Sequence, residues 1–246
     1  LGMIFQGLGE NQKAKECYGK AIEVDPNYSM AHNNLGGIFG ALGENQKAKE
    51  CFEKSIKLNS NYAVAHNNLG VVFKELGENQ KAKECYEKTI EVDPNYPIAH
   101  YNLAVVFKEL RENQKAKKCY EKSIELNPNY ADAHNNLGVV FKELGENQKA
   151  KECYEKAIEL NPNYAVAHYN LGVLLYLLEE NQRAKECYEK AIEVDPNYAV
   201  AHNNLGVVFR ELKENQKAKE CFEKAIELNP NYADAHKNLG ILLKQK

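Results

Sequence analysis

Residues 29–62 read SMAHNNLGGIFGALGENQKAKECFEKSIKLNSNY, and closely similar versions of this segment follow one another along the whole chain. Histidine recurs every 34 residues, from His32 to His236, and cysteine recurs at the same interval, from Cys17 to Cys221. A fixed period of this length predicts a solenoid, in which each repeat is a small structural unit that packs on its neighbours.

Two helical patterns lie within each repeat. In residues 29–62 an i, i+3, i+4, i+7 spacing occurs twice, and each occurrence predicts an amphipathic helix. The first helix, called helix A, carries His32, Leu35, Gly36 and Phe39; the second, helix B, carries Ala48, Cys51, Phe52 and Ser55. Gly43 is expected to end helix A in a left-handed conformation, and Asn45 is expected to cap helix B.

The chain is therefore predicted to be all-α, a solenoid of antiparallel helix pairs forming one array over residues 1–246. Its expected parts are a partial repeat at 1–28, six full repeats and a terminal helix at 233–246. The full repeats are expected at 29–62, 63–96, 97–130, 131–164, 165–198 and 199–232.

The spacings resemble those of the tetratricopeptide repeat family, whose pattern is W-x₂-L-G-x₂-Y followed by A-x₃-F. Here the pattern reads His32-x₂-Leu35-Gly36-x₂-Phe39 and then Ala48-x₃-Phe52. The resemblance covers the whole chain and implies a right-handed superhelix whose A helices line a concave groove. The chain departs from the pattern at the turn glycine, which is replaced by Arg111, Glu179 and Lys213.

Composition and repetition exclude several functions. The formal net charge is −3, with 27% charged residues, so no basic excess favours nucleic acid. No apolar run approaches the roughly 18 residues that a membrane span needs. A catalytic or metal site requires several groups converging on one point, whereas each histidine and cysteine here occurs once per repeat. We therefore expect no enzyme activity, metal or cofactor.

The seven cysteines indicate a compartment more than a chemistry. They occupy one repeat position, so copies in neighbouring repeats should lie beyond the roughly 7 Å between Cα atoms that a disulfide allows. An odd number of free thiols suits a reducing environment, and we expect a cytoplasmic protein.

Asparagine is the most informative recurring residue on helix A. One asparagine follows each histidine by two residues, off the predicted packing face, and valines such as Val71 stand three residues further on. Primary amides donate and accept hydrogen bonds together, which matches a peptide bond. These asparagines, called the amide ladder, are predicted to bind an extended peptide, the alternative being that they bridge adjacent helices: Asn34, Asn68, Asn102, Asn136, Asn170, Asn204 and Asn238.

Asparagine at this position also resembles the repeat array of the O-linked N-acetylglucosamine transferases, which implies peptide recognition. Tyr101, Tyr169 and Tyr176 replace common groove residues, and tyrosine enrichment is typical of binding hot spots. We therefore interpret the chain as a protein-interaction module for an extended peptide. Two alternatives stay open. One is the substrate-recognition arm of a glycosyltransferase; the other is a scaffold that self-associates head to tail through exposed apolar ends.

Overall fold

The computed structural model describes residues 1–244, and all regular secondary structure in this part of the chain is helical. Residues 245 and 246, the end of the expected terminal helix at 233–246, lie outside the described part. The helices are α1 (Gly2–Gly7), α2 (Asn11–Val24), α3 (Ser29–Ala41), α4 (Asn45–Leu58), α5 (Ala63–Glu75), α6 (Asn79–Val92), α7 (Pro97–Glu109), α8 (Asn113–Leu126), α9 (Ala131–Glu143), α10 (Asn147–Leu160), α11 (Ala165–Leu177), α12 (Asn181–Val194), α13 (Ala199–Glu211), α14 (Asn215–Leu228) and α15 (Ala233–Lys244).

The helices group into two compact units. Unit 1 is Leu1–Pro128, which contains α1 to α8, and unit 2 is Asn129–Lys246, which contains α9 to α15. Within each unit every odd-numbered helix packs against the even-numbered helix that follows it, and that helix packs against the next odd-numbered one. The predicted all-α fold of successive helix pairs is confirmed. No helix within residues 1–244 is long and apolar enough to cross a membrane.

Each connection from helix A to helix B ends one helix and starts the next within three residues. Gly43 has φ 72°, as predicted, and the Glu44 N–H donates to the carbonyl oxygen of Phe39 at 2.9 Å. Glu44 is also the residue immediately before α4, and it makes no side-chain capping hydrogen bond. The prediction that Asn45 caps helix B was wrong. Glu44 is the residue that precedes helix B, and its N–H also closes the end of helix A, whereas Asn45 is already the first residue of helix B.

The core of a repeat forms where an aromatic ring of helix B lies on a glycine of helix A. A Cβ atom added to Gly70 would lie 2.6 Å from Cε1 of Tyr86, so the ring occupies the space that a side chain would need. Tyr86 is only 2% exposed. The same contact joins Gly36 to Phe52 and Gly206 to Phe222. The recurring glycine therefore permits close helix packing here, rather than a turn.

The recurring histidine fixes the start of helix A. Nε2 of His66 donates to the carbonyl oxygen of Ser60 at 2.9 Å, and His100 makes the same bond to Pro94. Both imidazoles are buried. Each ring therefore ties helix A to the turn that precedes it, in addition to filling the packing position.

Candidate functional site

Two consecutive asparagines stand on four of the A helices, α3, α5, α9 and α13, and the structure gives them different environments. The first of each pair is buried: Asn33, Asn67, Asn135 and Asn203 are 4%, 4%, 2% and 4% exposed. The second belongs to the amide ladder and is partly exposed. The helical rotation between adjacent residues turns the first amide inward and leaves the second at the surface.

The amide ladder is hydrogen-bonded from one repeat to the next. In each bond, Nδ2 of a ladder asparagine donates to Oδ1 of the buried asparagine in the preceding repeat. The bonds join Asn68 to Asn33 at 3.1 Å, Asn102 to Asn67 at 3.1 Å, Asn170 to Asn135 at 3.0 Å and Asn238 to Asn203 at 3.0 Å. The ladder thus bridges neighbouring A helices and is held in a fixed orientation at the same time.

A second set of bonds runs within a repeat. Nδ2 of the buried asparagine donates to Oδ1 of the adjacent ladder asparagine, as from Asn33 to Asn34 at 3.2 Å, from Asn135 to Asn136 at 3.1 Å and from Asn203 to Asn204 at 3.1 Å. Each amide carries two N–H groups and two acceptor lone pairs. Asn238 uses one N–H in the bonds described above, so a second N–H and its oxygen remain available to a ligand.

Tyr169 takes the place of a buried asparagine in unit 2. Its hydroxyl oxygen accepts from Nδ2 of Asn204 at 3.2 Å, which preserves the bridge between repeats. Its ring centroid lies 5.0 Å from that of Tyr198 and 5.8 Å from that of Tyr188. Burial raises the pKa of Tyr169. Burial and the nearby Tyr169 side chain raise the pKa of Tyr198 to about 12. These phenols therefore stay protonated at physiological pH.

Four of the predicted site residues line one pocket in unit 2: Tyr169, Tyr176, Asn204 and Asn238. The pocket, here called the tyrosine pocket, has a volume of about 440 Å³ and lies between α11, α13 and α15. Its apolar wall includes Leu177, which is 63% exposed, and Asp234 and Lys237 bring charge to the same lining. Tyrosine rings, apolar walls and partly unused amides therefore converge on one open surface.

The other predicted residues lie elsewhere on the A helices. In unit 1, Asn68 lines a smaller pocket, and Asn34 lines a pocket beside α1. Tyr101 packs edge-on against Tyr120, with ring centroids 5.7 Å apart and planes at 61°. Asn102 and Asn170 take part in the ladder bonds, and Asn136 accepts from Asn135.

Three of the cysteines, Cys51, Cys85 and Cys221, are unreactive thiols. Burial is the main cause that raises the pKa of the Cys85 and Cys221 thiols to about 12 and that of Cys51 to about 11. Because the thiolate is the nucleophile, thiols with such values are unreactive near neutral pH. Within residues 1–244 no group of three or more His, Cys, Asp or Glu side chains is placed to hold a metal ion.

Sequence reasoning missed the buried asparagines, which accept the ladder bonds. Their signal was their position directly before each ladder residue, as in Asn67-Asn68. Their replacement by tyrosine at 101 and 169 also marked them as positions where a polar group with apolar bulk fits.

The class of protein follows from these features: a repeat solenoid of helix pairs with a polar ladder on its A helices. The profile of the tetratricopeptide repeat family matches residues 29–62, 63–96, 97–130, 131–164, 165–198 and 199–232. Further tetratricopeptide repeat profiles match residues 1–28 and 221–246. The chain therefore belongs to the tetratricopeptide repeat family. No match was found among curated proteins.

Solved structures of the same fold extend this comparison. A chain of the APC/C hetero-tetramer Cut9-Hcn1 is 19% identical, with a TM-score of 0.81 over 97% of this chain and 47% of that one. This chain thus spans about half the length of that relative. PilF of Pseudomonas aeruginosa is 22% identical, with a TM-score of 0.77 over 89% and 97% of the two chains. Both likenesses concern the fold alone.

A third structure is closer in sequence. YrrB, described as a TPR protein with an unusual peptide-binding site, is 26% identical, with a TM-score of 0.64 over 76% of this chain and 96% of that one. Repeats of this family make protein–protein interaction modules, and the present chain is one of them.

Proposed function

We propose that the chain binds an extended peptide segment of a partner protein along its A helices and has no catalytic activity of its own. The observation that carries this proposal is the convergence of four predicted residues on the tyrosine pocket of unit 2. The peptide-binding description of YrrB supports the same kind of ligand for this chain.

The amide ladder supplies a means of recognising main chain. Asn238 retains one N–H and its carbonyl oxygen, which together match the C=O and N–H of a peptide unit. Each such hydrogen bond contributes about 0.5–1.5 kcal/mol net. The bonds that fix the ladder reduce the ordering that binding requires, so more of this energy appears as affinity.

The tyrosine pocket supplies apolar contact for partner side chains. Repeat 165–198 has Tyr176 and Leu177 where the repeat at 63–96 has Lys74 and Glu75. Tyrosine side chains offer a large contact area and lose little conformational freedom on binding. A peptide held by the ladder of unit 2 would therefore place an apolar or aromatic side chain against Tyr176 and Leu177.

Two sets of variants test this function. A library of random decapeptides displayed on phage would be selected against the full chain, and an enriched peptide would be titrated by fluorescence anisotropy. The variant with Asn204→Ala and Asn238→Ala should weaken binding about tenfold, from the loss of one or two hydrogen bonds. Tyr176→Lys combined with Leu177→Glu restores the pair found in other repeats and should weaken peptides selected for an apolar residue.

Controls separate binding from folding. Loss of the Asn238 bond to Asn203 should cost some stability, so binding is measured per folded molecule at a temperature where circular dichroism shows full helicity. Lys224→Ala on helix B serves as the matched surface control and should leave affinity within twofold. Failure to enrich any peptide, or full affinity in both sets of variants, would overturn the proposal.

Self-association is a second candidate, favoured by exposed apolar side chains on α1. Met3 and Ile4 are 69% and 62% exposed. Exposed apolar patches often mark association sites. Static light scattering across a range of protein concentrations tests this candidate, and a constant monomer mass would exclude it. The free thiols support a reducing, cytoplasmic setting for either function.

A further inference from the structure

An ion pair near the end of helix A links consecutive repeats in unit 1. Nζ of Lys74 lies 2.5 Å from Oε1 of Glu109, which is 35 residues further along the chain. Both side chains are partly exposed, at 29% and 41%. Lys74 thus pairs with a glutamate of the next repeat, one residue beyond the position equivalent to its own.

The preceding repeat lacks this lysine. Gly40 occupies the position of Lys74, and Glu75 occupies that of Glu109. Among residues 1–244, Glu75 makes no ion pair, and its side chain is exposed. The Glu75 carboxylate therefore lacks the lysine partner that Glu109, the equivalent residue of the next repeat, has in Lys74.

A pocket of about 220 Å³ lies beside this carboxylate and is called the glycine pocket. Gly37, Gly40 and Ala41 form one side, and Phe52, Asn68, Val71, Val72 and Glu75 complete the lining. A Cβ atom added to Gly40 would meet no atom within 4 Å. The pocket is open to a side chain that enters from outside.

We propose that the glycine pocket binds a lysine or arginine side chain of the partner segment. This side chain would take the place that Lys74 has in the next repeat, where this chain has Gly40. Long cationic side chains place their methylene groups on apolar surface and keep the charge at the rim. Here Val71 and Ala41 would contact the methylene groups, and the Glu75 carboxylate would pair with the charge. The inference rests on the proposed function, because Asn68 in the same lining would hold the adjacent main chain.

Other side chains suit the pocket less well. An acidic side chain would place two like charges together, and like charges in contact are unfavourable. An apolar side chain would cover part of Glu75 without offering a partner, and removing a charged group from water without compensation is costly. The unpaired carboxylate therefore selects a cation over both alternatives.

The first test compares peptide selection by the full chain and by its Gly40→Lys variant. We expect peptides selected by the unmodified chain to share a lysine or arginine at one position, and the variant, whose own lysine fills the pocket, to lose that preference. In anisotropy titrations, replacing the selected lysine by methionine should weaken binding about fivefold, the upper range for an exposed ion pair. Gly40→Lys should weaken it about tenfold or more, because the new side chain removes both the space and the free carboxylate.

Matched variants separate charge from space. Glu75→Gln should reduce affinity about fivefold and remove the preference for lysine over methionine. Glu109→Gln breaks the neighbouring ion pair and lies outside the pocket lining, so it should bind within twofold of the unmodified chain. Glu75→Lys should reverse the preference and favour a peptide with glutamate at that position.

A measurement without peptide tests the geometry. If a lysine at position 40 reaches Glu75, the change in melting temperature caused by Gly40→Lys should be more favourable in the unmodified background than in the Glu75→Gln background. Absence of this coupling would overturn the inference. Enriched peptides without a shared basic residue, or an unchanged lysine preference in Glu75→Gln, would overturn it while leaving the proposed function standing; absence of any enriched peptide would overturn both.

Discussion

Replacing Lys213 by glycine should stabilise unit 2, because Lys213 holds a left-handed backbone conformation that glycine adopts without strain. Its φ is 64°. The Lys213 N–H donates to the carbonyl oxygen of Arg210 at 3.0 Å, and the Glu214 N–H donates to that of Phe209 at 2.8 Å. These two bonds make a Schellman helix end, which requires the left-handed residue.

The magnitude follows from two opposing effects. A left-handed conformation costs an L-residue roughly 1–2 kcal/mol. Glycine gains extra freedom in the unfolded chain, which removes about 0.5–1 kcal/mol of the benefit. Lys213→Gly should therefore raise the free energy of unfolding by about 0.5–1 kcal/mol, which corresponds to a rise in melting temperature of roughly 2–5 °C.

Urea unfolding followed by circular dichroism would measure this change. Gly145 occupies the same position two repeats earlier, with φ 77°, so Gly145→Ala is the matched reverse variant and should lower stability by about 1 kcal/mol. If Lys213→Gly is destabilising while Gly145→Ala is neutral, the left-handed conformation does not limit stability and the reasoning is refuted.

Three further predictions concern other parts of the array. Tyr154→Phe should leave stability unchanged or raise it by about 1 kcal/mol in urea unfolding, because the buried Tyr154 hydroxyl has no hydrogen-bond partner among residues 1–244; a clear loss would mean that the hydroxyl is satisfied. Asn68→Ala should lower stability by about 1 kcal/mol, through loss of the bond to Asn33, while Asn68→Asp, measured likewise, retains only an acceptor and should not restore it. Stability should also fall as pH rises from about 8 to 10, because burial raises the pKa of thiols such as Cys85. The folded state then keeps protons that the unfolded state releases above about 8.5, so the contribution is complete below that pH and is lost above it; an unchanged urea midpoint at about pH 10 would contradict this.

The helix pairs and their connections could be predicted from the sequence because their signals are local and repeated. The i, i+3, i+4, i+7 spacing in residues 29–62 identifies both helices of the pair, and Gly43 marks the left-handed turn. Comparing repeats also identified Arg111 as a residue in the turn-glycine position, and its φ is 60°.

Contacts between repeats could not be predicted in the same way, because periodicity within one helix does not give its rotation relative to the next. The sequence therefore identified the amide ladder but not its bonds to buried asparagines such as Asn67. Another contact between repeats involves Lys49 of helix B. The structure places the Lys49 ammonium 5.5 Å from the ring centroid of Phe73 in the following repeat, where the cation faces an aromatic ring.

The central claim is that the A helices recognise the main chain of an extended peptide through the amide ladder. An amide-to-ester scan of the enriched decapeptide tests it most directly, because each ester removes one N–H donor and leaves the side chains unchanged. Titration against the full chain should show losses of about 2- to 10-fold at alternate positions, as expected for single hydrogen bonds. Full affinity for every ester analogue would show that the ladder does not bind main chain N–H groups and would contradict the account.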